Sequence, residues 1–246
     1  PSFEHLQTFG EISWELSQNE EYDSMKTYAR RWLDMARIVG HVPFKGHAFY
    51  DLARSNWHLG QFEEALSAVD SCIYLFQIGE RPRRAMNSIY LKGMILGDAG
   101  QYQQAIPAYM KVIALADSAN DSVRLGTFYN SLALVHQWLE QFDQAEKAFL
   151  SSIAYLKANG GAFRRAMSLT NHGTLNLEIQ KNAQAMRQFQ EALEIFTQQE
   201  SMWGMMTVKG NMGSALEKMG RLDEAIPLLE EHLAYKLENE TVKSHV

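Results

Sequence analysis

The sequence predicts an all-α protein, a right-handed α-solenoid of about six helix-turn-helix repeats. A seven-residue phrase, Leu-Gly-Gln-Phe-Glu-Glu-Ala at residues 59–65, returns every 40 residues without any change of spacing. The apolar and small residues around the phrase keep the same register, and no segment alternates as a strand would. A fixed period of this length is typical of stacked units, none of which can bury its apolar face alone.

The repeated phrase is typical of a tight joint between two helices. Its copies begin at residues 99, 139, 179 and 219, and a degenerate copy begins at residue 19. The glycines at positions 60, 100 and 220 can end one helix in the left-handed conformation. The aromatic residue two places later packs back, and the alanine that closes the phrase lets two helices approach closely.

Two further columns of residues repeat with the same period. The second helix of each repeat carries an aliphatic column: Leu33, Ile73, Ile113, Ile153, Leu193 and Leu233. The first helix carries a column of small residues: Ser13, Ala53, Gly93, Ala133, Gly173 and Gly213. The first column forms one unbroken aliphatic stripe on the second helices, and the second column predicts close packing between helices.

The run from Asn211-Met212-Gly213 through Gly220, Leu222 and Ala225 resembles the tetratricopeptide repeat pattern. The resemblance covers nearly all of residues 3–238. The usual repeat has about 34 residues, so the period of 40 suggests longer helices, as in a subgroup seen in bacterial regulators and eukaryotic polarity adaptors. HEAT and armadillo repeats have a similar period, but the Gly-x-aromatic-x-x-Ala joint favours tetratricopeptide repeats.

The repeats predict one domain over residues 1–246, because a repeat array grows by adding units. The expected repeats are residues 1–40, 41–80, 81–120, 121–160, 161–200 and 201–240, with a frayed tail at 241–246. In repeat two the helices are expected at about residues 45–59 and 62–78. The chain begins at Pro1 without a methionine, so we expect a fragment of a longer chain.

The last helix carries Leu222, Ile226, Leu229 and Leu233 at helical spacing. A solenoid usually ends on a polar helix, so this face predicts a further partner. Either the natural chain continues into another domain, or two copies associate as a homodimer through the C-terminal helix.

Composition narrows the partner classes. A net charge of −6 argues against nucleic acid, and no apolar run is long enough to predict a membrane span. The single cysteine, Cys72, cannot form an internal disulfide, and its column also holds Ser152 and Ala192. We therefore expect a buried thiol that acts as a small apolar filler, in a cytoplasmic protein.

Catalytic motifs are missing from the sequence. No hydrolase elbow, phosphate-binding loop, dinucleotide fingerprint or zincin helix is present. His136 and Glu140 are four residues apart, but two ligands do not make a metal site. The sequence therefore predicts no enzyme and no cofactor.

The first helices carry an arginine ladder: Arg84, Arg124 and Arg164 each precede the small-residue column by nine residues. Asn171 and Asn211 share its helix face. The residues predicted to bind a ligand are Arg84, Asn87, Tyr90, Arg124, Asn130, Arg164, Asn171 and Asn211. A structural role is the alternative, because Glu80 and Asp121 are close enough in sequence to pair with Arg84 and Arg124.

The resemblance implies that the first helices line an inner groove. In chaperone-binding members, paired asparagines such as Asn171 and Asn211 grip a terminal carboxylate together with a lysine. Thr127, Met167 and Thr207 occupy the lysine position here, so that clamp is incomplete and only a groove for an acidic or extended peptide is expected. Two functions stay open: a protein- or peptide-binding scaffold, and a sensory or autoinhibitory segment of a larger bacterial signalling or transcription regulator.

Overall fold

A computed structural model describes the backbone of residues 3–243 and the side chains of residues 6–239. Within residues 3–243 the chain forms twelve α-helices and no strand. Backbone contacts divide it into two units, Pro1–Ala119 (unit 1) and Asn120–Val246 (unit 2), and each unit contains three helix pairs. The single domain expected for residues 1–246 stays a prediction.

The helices of unit 1 are α1 (Phe3–Gln18), α2 (Tyr22–Val39), α3 (Val42–His58), α4 (Phe62–Ile78), α5 (Pro82–Asp98) and α6 (Tyr102–Ser118). Those of unit 2 are α7 (Ser122–Trp138), α8 (Phe142–Ala158), α9 (Ala162–Glu178), α10 (Asn182–Gln198), α11 (Met202–Lys218) and α12 (Leu222–Lys243). Each predicted repeat contains one helix pair.

Two helix ends differ from the sequence prediction. Helix α3 begins at Val42, before the expected start near residue 45. Proline is acceptable in a first helical turn, so Pro43 does not prevent the earlier start. The Nδ1 atom of His41 caps the helix by accepting a hydrogen bond from the Phe44 N–H at 3.3 Å. Helix α12 continues to Lys243, past the expected end of repeat six near residue 240. The rest of the predicted tail, 244–246, lies outside the described residues.

The joints have the predicted left-handed residue. At Gly60 (φ 72°) the N–H bonds the Trp57 carbonyl at 3.0 Å, and the Gln61 N–H bonds the Asn56 carbonyl at 2.8 Å. These two bonds satisfy carbonyl groups that the end of α3 would otherwise leave unpaired. A left-handed residue recurs at every twentieth position from 20 to 220, including positions without glycine such as Glu140 (φ 57°).

The column of small residues allows the close packing that the sequence predicts. A Cβ atom added to Gly93 would lie 2.8 Å from the Tyr109 ring, and one added to Gly173 would lie 2.4 Å from the Phe189 ring. The alanines that close the repeated phrase are buried at 1% exposure or less: Ala65, Ala105, Ala145, Ala185 and Ala225. These positions let the helices of each pair, and helices of neighbouring pairs, form a dense core.

Candidate functional site

Within each unit the first helices of the pairs line one side. The Cα atoms of α1, α3 and α5 approach one another within 8 Å in sequence order, as do those of α7, α9 and α11. In the part of the chain that the structure describes, the second helices of successive pairs do not come this close. Each unit is therefore concave on the side of its first helices, where the sequence predicted a binding groove.

In unit 1 this concave side contains a cavity of about 1010 Å³. Its walls come from α1, α3 and α5, with Trp32 of α2 behind them. Trp14 is 64% exposed on α1, whereas Trp32 is 5% exposed and Phe44 contacts its ring at a centroid distance of 6.1 Å. We call this cavity, with its lining, the unit 1 groove.

An acidic and a basic side chain lie on the α3 wall of the unit 1 groove. Asp51 accepts a hydrogen bond from Ser13 Oγ at 2.6 Å, and Arg54 donates one to Ser17 Oγ at 2.7 Å. Both bonds join α3 to α1. They hold the two charged groups at fixed positions on the wall of the cavity, as a binding surface requires.

The groove shifts the protonation of two of its side chains. Burial raises the pKa of Asp51 to about 6, although the Ser13 hydrogen bond and the positive charges of Arg54 and Arg84 act against this rise. Burial lowers the pKa of His47 to about 4, and the charges of Arg84, Arg81 and His41 lower it further. At pH 7 the groove thus contains a neutral imidazole beside a carboxylate that is ionised at a desolvation cost.

Arg84, the first residue of the predicted arginine ladder, lines the unit 1 groove from α5. It is exposed, and its side chain has no ion pair or hydrogen bond with the described residues. The buried Nε1 atom of Trp32 also has no partner among them. The groove therefore offers the Arg84 guanidinium group as a donor for an acidic or carbonyl group, and Asp51, Glu11 and Glu15 as acceptors.

The two other predicted residues on α5 are half-buried. The Tyr90 ring lies 5.9 Å from the Tyr109 ring, which belongs to α6, and Asn87 lies one turn before Tyr90. Neither residue lines the cavity.

In unit 2 the structure brings two predicted residues together. Asn130 Oδ1 accepts hydrogen bonds from Asn171 Nδ2 at 3.2 Å and from Ser168 Oγ at 2.9 Å. Ser168 Oγ also lies 2.6 Å from Ser152 Oγ, which bonds the Gly126 carbonyl. A line of polar groups thus joins α7, α8 and α9 and fixes the orientation of both asparagines.

The remaining predicted residues of unit 2 are spread along its first helices. Arg124 Nε lies 3.4 Å from Asp121 Oδ2, which is the structural pairing that the sequence offered as the alternative. Arg164 is exposed and has no ion pair among the described residues, whereas its neighbour Arg165 lies 3.5 Å from Glu191. Asn211 is half-buried on α11. A groove shared by Arg84 of unit 1 and the arginines of unit 2 stays a prediction.

The ligand prediction omitted most of the unit 1 groove, although a signal for it was present. Asp51 occupies the same position in its repeat as Asn171 and Asn211 do in theirs, and Glu11 precedes it in the same column. The predicted arginine ladder has no member in repeat two, because Phe44 occupies the arginine position there. The sequence places Asp51 near the arginine ladder, but the list of predicted ligand-binding residues does not include it.

The other side chains considered for chemistry lie in the core or in the joints between helices. Cys72 is fully buried, as predicted, with its sulfur 3.0 Å from Ser88 Oγ, and burial raises its thiol pKa to about 12. Glu140 lies in a joint, and His136 Nδ1 is 2.6 Å from Gln141 Oε1. Among the described residues, no three histidine, cysteine or acidic side chains are grouped closely enough to hold a metal ion. None of the described helices combines the length and the apolarity that crossing a membrane requires.

Several solved structures share this fold. BtubC (BKLC) from P. vanneervenii superposes with a TM-score of 0.77 at 17% identity, covering 89% of this chain and 92% of that one. The apo form of RapI gives 0.78 at 12% identity, covering 96% of this chain and 64% of that one. A STAND signal-transduction ATPase from Pyrococcus horikoshii gives 0.78 at 11% identity, covering 97% and 38%. The predicted all-α, right-handed α-solenoid class is confirmed.

Sequence comparison gives the same assignment. A curated relative, Protein KINESIN LIGHT CHAIN-RELATED 3 of Arabidopsis thaliana, is 22% identical over 195 residues, or 76% of this chain. The chain spans only 30% of the length of that relative. Three family models described as tetratricopeptide repeat match residues 87–118, 123–198 and 210–242, which together make up more than half of the chain. The chain therefore belongs to the tetratricopeptide repeat family.

Proposed function

We propose that this chain is a non-catalytic scaffold that binds a protein or peptide segment in the unit 1 groove. The observation that carries the proposal is the cavity of about 1010 Å³, with Arg84 on its wall and without an intramolecular ion pair for that arginine. A peptide in extended conformation fits a groove lined by successive first helices. The proposed partners are proteins or peptides in the cytoplasm, not nucleic acids or membranes.

The chemistry of the groove favours a segment with an acidic side chain or a terminal carboxylate. A charge-assisted hydrogen bond between Arg84 and such a group contributes about 1.5–3 kcal/mol, more than the roughly 0–1 kcal/mol of an exposed ion pair. Trp14 and Phe44 supply apolar surface beside it, and Asp51 can accept from a backbone N–H of the segment. In unit 2, Arg164, Asn171 and Asn211 are proposed as a second contact surface for an acidic partner.

We expect Arg84→Ala to weaken binding of an acidic peptide about tenfold, which corresponds to about 1.4 kcal/mol. Thermal stability should change little, because Arg84 is exposed and makes no ion pair or side-chain hydrogen bond with the described residues. It acts on Asp51 and His47 only through its charge. Peptides would first be selected on an array with the wild-type protein at low and moderate salt. Their affinities would then be measured by fluorescence anisotropy.

The matched control is Arg83→Ala, which removes the same charge from the adjacent position of α5 but not from the cavity wall. Its effect on affinity should stay below about twofold, since surface charge acts mainly on association rates. Arg164→Ala in the same assay tests the surface of unit 2. Equal capture of the same peptides by wild type and Arg84→Ala would exclude the unit 1 groove as the binding site.

A second candidate function is a sensory or autoinhibitory segment of a larger bacterial signalling or transcription regulator. It is supported by the likeness to the P. horikoshii STAND signal-transduction protein, which is described as having a tetratricopeptide repeat sensor. This chain spans 38% of that protein. The full open reading frame distinguishes the two. An attached nucleotide-binding, DNA-binding or kinase domain would favour the regulator.

The proposed homodimer concerns the C-terminal helix. Along α12 the side chains of Leu222, Ile226, Leu233 and Leu237 are 52–55% exposed, whereas Leu229 packs on Gly213 and is half-buried. We expect Ile226→Glu with Leu233→Glu to reduce self-association without unfolding unit 2. Sedimentation velocity over a range of concentrations measures the association.

Leu229→Glu is the control for this double change, because its carboxylate would enter the contact with α11 and lower the stability of unit 2. A wild-type protein that sediments as a monomer at every concentration would refute the homodimer. Loss of helical signal in the Ile226/Leu233 double variant would show that these side chains support the fold.

A further inference from the structure

The two outer walls of the unit 1 groove carry opposite charge. The α1 wall contains Glu11 and Glu15, and the α5 wall contains Arg84. The surrounding sequence has the same bias. Residues 6–25 include five acids and no lysine or arginine, whereas residues 81–92 include four basic residues and no acid. The groove is therefore negative on one side and positive on the other.

The α3 wall between them is close to neutral. Asp51 and Arg54 have opposite charges and lie three residues apart, and His47 is neutral at pH 7 because burial lowers its pKa to about 4. Helix α3 contacts both α1 and α5, whereas α1 and α5 do not contact each other in the described part of the chain. The acidic and basic walls are thus separated by a whole helix and do not neutralise each other by direct pairing.

The two acids of the α1 wall have no counter-ion. Glu11 and Glu15 are exposed, and neither forms an ion pair or a side-chain hydrogen bond with the described residues. They lie four residues apart on one helix, where like charges repel. Trp14, which is 64% exposed, lines the cavity with them. A cation on this wall is attracted by both carboxylates and by the indole ring.

This combination of residues is particular to repeat one. In the later repeats the column of Glu15 has no charged residue: Ser55, Ile95, Val135, Leu175 and Ala215. The column of Trp14 has no other aromatic residue: Arg54, Met94, Leu134, Thr174 and Ser214. The packing of the repeats therefore does not require an acid or a tryptophan at these positions.

We propose that the unit 1 groove selects a peptide segment that carries a basic side chain as well as an acidic group. The basic side chain binds the α1 wall at Glu11, Trp14 and Glu15. The acidic group binds Arg84, so this inference rests on the proposed function and adds a second requirement to it.

The width of the groove sets the spacing of the two charges. Packed helix axes lie about 8–10 Å apart, so α1 and α5 are about 16–20 Å apart across α3. An extended chain advances about 3.3 Å per residue. The basic and acidic residues of the partner should therefore be about five or six positions apart.

A peptide array tests the requirement for both charges on the wild-type protein. Each spot fixes one glutamate and one lysine at a spacing of two to eight residues, in both orders, within a random uncharged sequence. Matched spots carry norleucine in place of lysine, or glutamine in place of glutamate. We expect the strongest capture from spots with both charges at a spacing of about five or six residues.

A thermodynamic cycle then assigns the lysine to the α1 wall. For the best peptide, replacing lysine by norleucine should lower the affinity of the wild-type protein about fivefold, as expected for an exposed ion pair with a cation–π contact. For the Glu11→Gln/Glu15→Gln variant the same replacement should change the affinity less than about twofold. For Arg84→Ala the fivefold effect should remain, because this residue lies on the opposite wall. Fluorescence anisotropy measures the affinities.

The matched control is Glu21→Gln with Glu64→Gln, which removes two exposed carboxylates of unit 1 that do not line the cavity. It changes the net charge by the same amount as the α1 variant, and the effect of lysine should stay about fivefold.

The outcomes separate this inference from the proposed function. Equal affinities for the lysine and norleucine peptides, with weaker binding by Arg84→Ala, would overturn the inference and leave the acidic contact in place. A lysine effect that persists in the Glu11→Gln/Glu15→Gln variant would also overturn it. A lysine effect confined to the α1 wall, with no effect of Arg84→Ala, would instead refute the acidic contact of the proposed function. Capture of no spot would overturn both.

Discussion

The Gly93→Ala variant is expected to be less stable than the wild type by about 1–3 kcal/mol. The added Cβ would lie 2.8 Å from the ring of Tyr109, which is 3% exposed and enclosed by the core between α5 and α6. The ring has no space to move away, so the two helices must separate. The free energy of unfolding of unit 1, from urea denaturation followed by circular dichroism, measures this effect.

Gly97→Ala is the matched control, one turn later on the same helix. A Cβ atom at Gly97 meets no atom within 4 Å, and its backbone is right-handed. The higher helix propensity of alanine should therefore stabilise the protein by up to about 1 kcal/mol. If both alanines had the same effect, the small-residue column would reflect composition and not close helix packing.

The repeated phrase was sufficient to predict the helix pairs, because each of its residues has a local physical role. Gly60 ends a helix, and Ala65 and its equivalents are buried where two helices meet. The left-handed joints at Glu20, Glu80 and Glu140 were not predictable in this way. Glutamate has no intrinsic preference for that conformation, so the packing of the flanking helices imposes it.

The candidate site was predictable only in part. Sequence columns place residues on a helix face, but they did not predict the hydrogen bond that joins two of the listed residues, Asn130 and Asn171. They do not show which side chains are already paired. Arg124 and Arg164 hold equivalent positions, yet only Arg124 has an acid within reach, because Asp121 immediately precedes its helix.

Three side chains of repeat five, His172, Asn176 and Gln188, form a buried chain of hydrogen bonds that shows a different limit. A comparison of columns identifies His172 and Gln188 as departures from the other repeats, whereas Asn56 occupies the position of Asn176 in repeat two. Whether such departures satisfy one another depends on side-chain geometry, which the sequence does not contain. Only the structure shows that the chain leaves one donor and one acceptor unused.

The largest effects of pH on the stability of the folded state are expected from two side chains of the unit 1 groove, and the two effects have opposite signs. Asp51 has a pKa of about 6 in the folded state, above its ordinary value of 3.8, so the folded state binds its proton more tightly and stability falls as pH rises from about 4 to 6. His47 has a pKa of about 4, below its ordinary value of 6.5, so stability falls as pH drops from 6.5 toward 4. In the wild type the two slopes largely cancel between pH 4 and 6.

Substituting Asp51 or His47 singly should reveal how each side chain changes the stability with pH. Relative to the wild type, Asp51→Asn is expected to gain on the order of 2 kcal/mol at pH 7.5, and this gain should disappear as pH falls through 6 to 4. His47→Gln should show the reverse trend, with its stability relative to the wild type rising by on the order of 2 kcal/mol between pH 7 and pH 4. Urea denaturation at pH 4.5, 6.0 and 7.5 measures both differences.

The control for charge is Asp117→Asn, which removes an exposed carboxylate from α6 of the same unit. Its effect should stay within about 0.5 kcal/mol at every pH, as for most surface substitutions. A pH-independent difference between Asp51→Asn and wild type would mean that Asp51 titrates alike in the folded and unfolded states. The groove would then not desolvate this carboxylate, and Asp51 would be as accessible to water as the exposed acids of α1.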